Sequence, residues 1–183
     1  MFPVKRVRRI VATSLGFGSL LLGLTSCGYR AVYGGADPEQ RLAVVASPSR
    51  VPNAGALQAV LAGARSELGR AGVLRGGDGY PRLVVDVLRV DEVGTGIAAT
   101  GDLPLARGAA VAVVGRAWVE PGPDAPSERD TGDTRRSERV TAGSSAAADR
   151  LLHDEALDAA GRRLGRALAQ RVMGEPTPAD EPL

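Results

Sequence analysis

Cysteine is nearly absent: Cys27 is the only one in 183 residues. A lone thiol excludes an internal disulfide framework and the multi-cysteine zinc sites. Histidine is as scarce, with His153 alone, and a single imidazole without Cys or His companions argues against a transition-metal centre. Aromatic residues make up only 3% of the chain, so a core has to be built from Val, Leu and Ala packed closely. Lysine ends at Lys5, and every later basic side chain is arginine, whose guanidinium pairs bidentately with phosphate and carboxylate. Of 23 basic side chains against 21 acidic ones, Lys5, Arg6, Arg8 and Arg9 precede residue 27 without any acid beside them. The remaining 157 residues therefore carry a formal charge of −2. A nucleic-acid partner, which needs a basic footprint on the folded domain, is not expected.

A long apolar run is missing as well. The segment Ile10–Leu24 falls short of the ~20 residues a membrane span needs and is diluted by Gly16, Gly18 and Gly23. Basic start, short apolar centre and small residues before a cut are the parts of an export signal. The segment closes on Leu24-Thr25-Ser26-Cys27, which resembles the lipobox of bacterial lipoproteins. That motif implies cleavage between Ser26 and Cys27 and acylation of Cys27 as a diacylglyceryl cysteine. The expected organisation is a cleaved signal over 1–26, a lipidated tether over 27–40, one domain over 41–173, and a disordered Pro-rich, acidic tail over 174–183.

Within the domain, Arg41–Ala46 is short, apolar and β-branched, and Pro48 stops it; it reads as a buried strand. Asn53 is placed to cap a helix in which Leu57, Val60, Leu61, Ala64 and Leu68 share one face, with Gly72 suited to a left-handed cap. Leu83–Val90 reads as a long strand. Gly94 to Gly108 is a Gly/Ala-rich connection. Ala109–Glu120 is the next strand, with Val111, Val113 and Val119 on one face and Arg116 and Trp118 on the other. A polar loop over 124–134 leads to Thr134–Thr141, plausible only as an edge strand. Ser144 or Ser145 caps a second helix to about Met173, striped by Leu157, Ala160, Leu164 and Leu168 and joined by Leu151 and Leu152. Gly161 and Gly165 would let this helix lie close against a sheet. The order β-α-β-β-β-α predicts an α+β fold: a mixed four-stranded sheet with two helices packed on one face, the other face left without an intramolecular cover.

Catalytic patterns are wanting. His153 reads as a solvated helical residue. Asp86 and Glu92 share one side of a regular strand and Asp91 the other, a charged strand edge rather than paired carboxylates. Gly94-Thr95-Gly96 leads into no helix and is no phosphate loop, and no Gly-x-Ser-x-Gly elbow occurs. No enzyme activity, metal or cofactor is expected. The arginines are the remaining chemistry. Arg82 and Arg89, seven residues apart, face opposite sides of a regular strand, whereas Arg89 and Arg116 could line one sheet face and meet an anionic ligand. Ion pairs with Asp86, Asp91 and Glu92 are the plainer alternative. Trp118 is a core plug or, with Arg116 and Glu120 on its side, a partly exposed contact.

The lipobox followed at once by Cys27-Gly28-Tyr29-Arg30 resembles the mature start of the lipopolysaccharide-assembly lipoprotein family, the LptE-like proteins. The similarity runs on through Arg41–Ala46, the Leu57–Leu68 helix, the Asp102-Leu103-Pro104-Leu105-Ala106-Arg107 connection and the Asp154-Glu155-Ala156-Leu157 helix. The resemblance implies a non-enzymatic subunit anchored in the outer membrane on its periplasmic side. Its expected partner is the large outer-membrane β-barrel protein that inserts lipopolysaccharide, for which it serves as plug and assembly partner. Lipopolysaccharide itself is a candidate ligand, with no residue carried over to bind it. A periplasm-facing auxiliary lipoprotein of a lipid or solute ABC-type transporter is the alternative, and a lipid-anchored hydrolase a third that the missing nucleophile disfavours.

Overall fold

The computed structural model describes residues 41–49, 52–95, 108–140 and 145–177. The export signal over 1–26, the Ser26–Cys27 junction, the tether over 27–40 and the 102–107 connection lie outside them.

Six elements follow in the expected order: β1 (Ala43–Ala46), α1 (Ala54–Arg70), β2 (Arg82–Thr95), β3 (Gly108–Glu120), β4 (Thr134–Val140) and α2 (Ala146–Met173). The sheet order is β1-β2-β3-β4, with β1 parallel to β2 and both later pairs antiparallel. This is the mixed four-stranded α+β arrangement the sequence predicts. β1 is shorter than Arg41–Ala46 because Leu42 bonds instead to the chain after α1, pairing with Val73 and Arg75. β2, in turn, runs past Val90 to Thr95, since β3 supplies it with partners as far as Gly108.

The helix ends obey local chemistry. Asn53 accepts the Ala56 N–H at 3.0 Å on its side-chain oxygen, and Ser145 does the same for Ala148 at 3.2 Å. α1 closes when Gly72, at φ +73°, donates to Gly69 and Val73 donates to Leu68; α2 closes in the same way around Gly174. Just beyond it, Glu175 lies 3.6 Å from Arg70 and Thr177 accepts from Arg171.

α1 lies over β1 and β2, and α2 over β3 and β4. The predicted stripes are all buried in this layer, against Leu83, Val85, Val87, Val111, Val113 and Val119. Leu151 departs from expectation: it is 60% exposed, because α2 becomes buried only from Ala156 onward. The glycines of α2 depart too. Gly161 and Gly165 serve the helix pair rather than the sheet, for a Cβ on Gly161 would sit 2.7 Å from that of Ala59, and one on Gly165 would overlap the Val60 carbonyl. The polar strand β4 is an edge, as predicted, yet Thr134 and Arg136 are buried. Its register places Thr134, Arg136 and Glu138 beneath α2, where Glu138 pairs with Arg163 at 2.8 Å.

Candidate functional site

The face turned away from the helices carries the arginines, and a bulge decides which. β2 pairs Asp86 with Arg116 and Val87 with Gly115, but Arg89, not Leu88, meets Val114. One extra residue, Leu88, restarts the alternation. Side chains opposite one another in a ladder point the same way, so Arg82, Asp86, Arg89 and Asp91 share the helix-free face. Glu92 turns to the helix side. This corrects two readings that assumed a regular strand: Arg82 and Arg89 are on one side, and Asp86 is matched by Asp91 rather than by Glu92. Arg89 and Arg116 do line one face together.

A ladder of alternating charge and aromatic surface crosses β2 and β3 on this face. The Arg82 guanidinium carbon lies 4.4 Å from the Tyr80 ring centre, and Arg82 donates to Glu120 at 2.8 Å. Trp118 donates its indole N–H to the other Glu120 oxygen at 3.2 Å. The Arg116 guanidinium lies 5.6 Å from the Trp118 ring and donates to Asp86 at 3.3 Å. Asp86 also accepts from the Ser49 hydroxyl. The Arg82 bond is the main reason the Glu120 carboxyl is held below its ordinary value, and the Trp118 N–H acts in the same direction. Arg89 pairs with its near neighbour Asp91 at 3.0 Å. Ion pairing thus accounts for Asp86 and Asp91, as the plainer reading expects. Glu92 instead approaches His153 Nε2 at 3.5 Å, so the only histidine leans on the sheet rather than standing free in solvent. Trp118 is half-buried, which agrees with the partly exposed reading and not with a core plug.

The face is not bare. Val84, Ala112 and Val114 are buried on it, which amends the expectation of a surface left without cover. Among the described residues no three of His, Cys, Asp and Glu stand close enough to share a metal ion.

Sequence reasoning missed Glu67, the most buried carboxylate among the described residues. It sits between the helices, accepting from Gln170 at 2.9 Å and from Arg70 at 2.5 Å. The Arg70 bond outweighs burial and lowers its pKa. The available signal was its place beside Leu68 and three residues after Ala64, at the margin of the apolar stripe.

No protein-family model matches the sequence, and no curated protein matches it. Among solved structures the chain is similar to a minor lipoprotein from Acinetobacter baumannii, at 12% identity and a TM-score of 0.42, covering 74% of this chain and 94% of that one. It is similar also to the rare lipoprotein B of Shewanella oneidensis, at 14% identity and a TM-score of 0.40, covering 73% and 97%.

Proposed function

We propose that this chain is a lipid-anchored lipoprotein of the outer membrane, held on the periplasmic side by acyl chains on Cys27. In this reading it is the plug and assembly subunit of the β-barrel translocon that inserts lipopolysaccharide, and it performs no catalysis of its own. The observation that carries the reading is Leu24-Thr25-Ser26-Cys27 at the end of a basic-then-apolar leader, with the protein's one cysteine at the junction. Several acyl chains at ~0.8 kcal/mol per buried methylene hold a domain to a bilayer essentially for good. Tethering then raises the effective concentration of a partner in the same membrane. Three of the segments that carry the family resemblance within the domain fall on β1, α1 and α2 in turn, the fourth, 102–107, lying outside the described residues, and this order supports the resemblance.

Affinity purification from outer membranes tests the partner. Recovery of one large β-barrel protein is the expected result, whereas recovery of inner-membrane transporter subunits favours the auxiliary-lipoprotein reading. Labelling with palmitate tests the anchor. Cys27→Ala is expected to abolish the label and leave the chain soluble or as uncleaved precursor, and normal outer-membrane fractionation of that variant refutes anchoring.

A further inference from the structure

We propose that the helix-free sheet face lies against the anionic phosphodiester headgroups of the leaflet that holds the anchor, in the lipoprotein before it joins a partner. The proposal rests on the acyl anchor at Cys27 but not on the identity of the barrel.

Charge is segregated in this domain. Arg82, Arg89, Arg116, Arg135 and Arg139 share the helix-free face. Three carboxylates, Asp86, Asp91 and Glu120, oppose them there. Among the described strand residues of this face guanidinium groups thus outnumber carboxylates five to three, with Asp78 acting on Arg82 from the chain before β2, although the chain beyond residue 26 carries −2 in total. The cations are also the outward members of their pairs. Arg116 is 44% exposed above an Asp86 side chain at 7%, Arg89 is 53% against 34% for Asp91, and Arg82 is 30% against 25% for Glu120. Each carboxylate orients its guanidinium, Asp86 from a buried position, leaving the remaining N–H groups for phosphate oxygens. Arg139, exposed at the β4 end of the face, has no ion pair among the described residues.

The aromatic residues favour a bilayer over an acidic protein. Trp118 and Tyr80 stack with Arg116 and Arg82, and an amphipathic ring beside a cation is the pairing that settles at headgroup depth. Distance agrees. The sixteen residues from Cys27 to Ala43 reach at most about 55 Å at full extension, so an anchored domain is confined to that distance from its own membrane.

Trp118 is the only tryptophan, so its fluorescence reports on this face alone. The purified full-length lipoprotein is reconstituted in phosphatidylcholine vesicles with and without phosphatidylglycerol. The expected result is a blue shift and weaker acrylamide quenching only with phosphatidylglycerol, reversed by salt. Arg89→Gln and Arg139→Gln, neither of which strips a buried carboxylate of its partner, are each expected to weaken this response roughly fivefold. Identical Trp118 emission on the two vesicles, with the protein floating on both, overturns the proposal. Failure to float with phosphatidylcholine alone counts against the anchor instead, and the Trp118 response to phosphatidylglycerol vesicles still decides the face.

Discussion

Gly165 of α2 stands against the Val60 carbonyl of α1 so closely that a side chain on it would collide with the backbone. The contact is reciprocal, because a Cβ on Gly63 of α1 would strike the Arg162 carbonyl of α2. Backbone meets backbone where the helices cross, and neither chain can yield without parting the helices. Gly165→Ala is expected to destabilise the domain by about 2 to 3 kcal/mol. Gly69→Ala is the control, since its added methyl meets nothing nearer than Leu74 at 3.8 Å. There the gain in helix propensity is expected to stabilise by about 0.5 to 1 kcal/mol. Denaturant midpoints of the two variants on either side of the parent check both statements.

Glu67 gives the domain an acid-sensitive joint. Its carboxylate binds Arg70 on its own helix and Gln170 on the other, and its pKa is lowered from the ordinary 4.5. A carboxyl group with a depressed folded-state pKa contributes stability that is fully present above its ordinary value. That contribution is lost as the pH falls through the depressed one. Glu67→Gln is expected to cost about 1 to 3 kcal/mol at neutral pH, because it forfeits the charge-assisted bonds in a buried place. The variant should also lose less stability than the parent on acidification below pH 4.5. Thermal midpoints across that range decide it, and parallel curves count against the role assigned to Glu67.

Most of the architecture could be read in the sequence because its signals were local. Asn53, Gly72 and Ser145 mark helix ends by their own backbone and side-chain chemistry, and the Leu57–Leu68 and Leu157–Leu168 stripes fix which faces are buried. The failures all required partners distant in the chain. Nothing around Leu88 announces a bulge; it exists because β3 spends one residue fewer than β2 between Asp86 and Val90. A glycine's neighbour is invisible to periodicity, so the sequence points Gly161 and Gly165 at the sheet although α1 is the surface they meet. Glu67 lies beside an apolar stripe like many solvated acids, and only Gln170, 103 residues away, makes it interior. The arginine face was half legible: alternation gave β3 its sides, while the bulge withheld those of β2.

The bulge makes its own prediction. Val87 faces the helices and Arg89 faces away, so the residue between them is surplus to the alternation. Deleting Leu88 is expected to regularise β2 without turning any side chain over, at a cost below about 1.5 kcal/mol. Deleting Val90 removes as much chain but, once the bulge is absorbed, leaves Arg89 in the place of Val90 on the helix side. That variant is expected to lose at least about 3 kcal/mol, the cost of an unpaired charge in an apolar layer. Equal stability of the two deletions disproves the register.

Two arginines on one face should differ in what they hold. Arg116 covers Asp86, whose side chain is only 7% exposed and whose other oxygen takes the Ser49 hydroxyl. Arg116→Ala leaves that carboxylate short of a partner where water reaches it poorly, and a loss of about 1 to 2 kcal/mol is expected. Arg89 pairs with an Asp91 that solvent already reaches, both members being a third or more exposed. Arg89→Ala is therefore expected to change stability by less than about 0.5 kcal/mol. Double-mutant cycles separate pairing from simple truncation: a coupling near 1 kcal/mol is expected for Arg116 with Asp86 and near zero for Arg89 with Asp91. This ranking assigns the two residues different work. Arg116 is held by the fold and stays in place whatever the face meets, while Arg89 contributes little to the fold and is free to answer to what lies outside it. A larger coupling for Arg89 than for Arg116 would reverse that assignment.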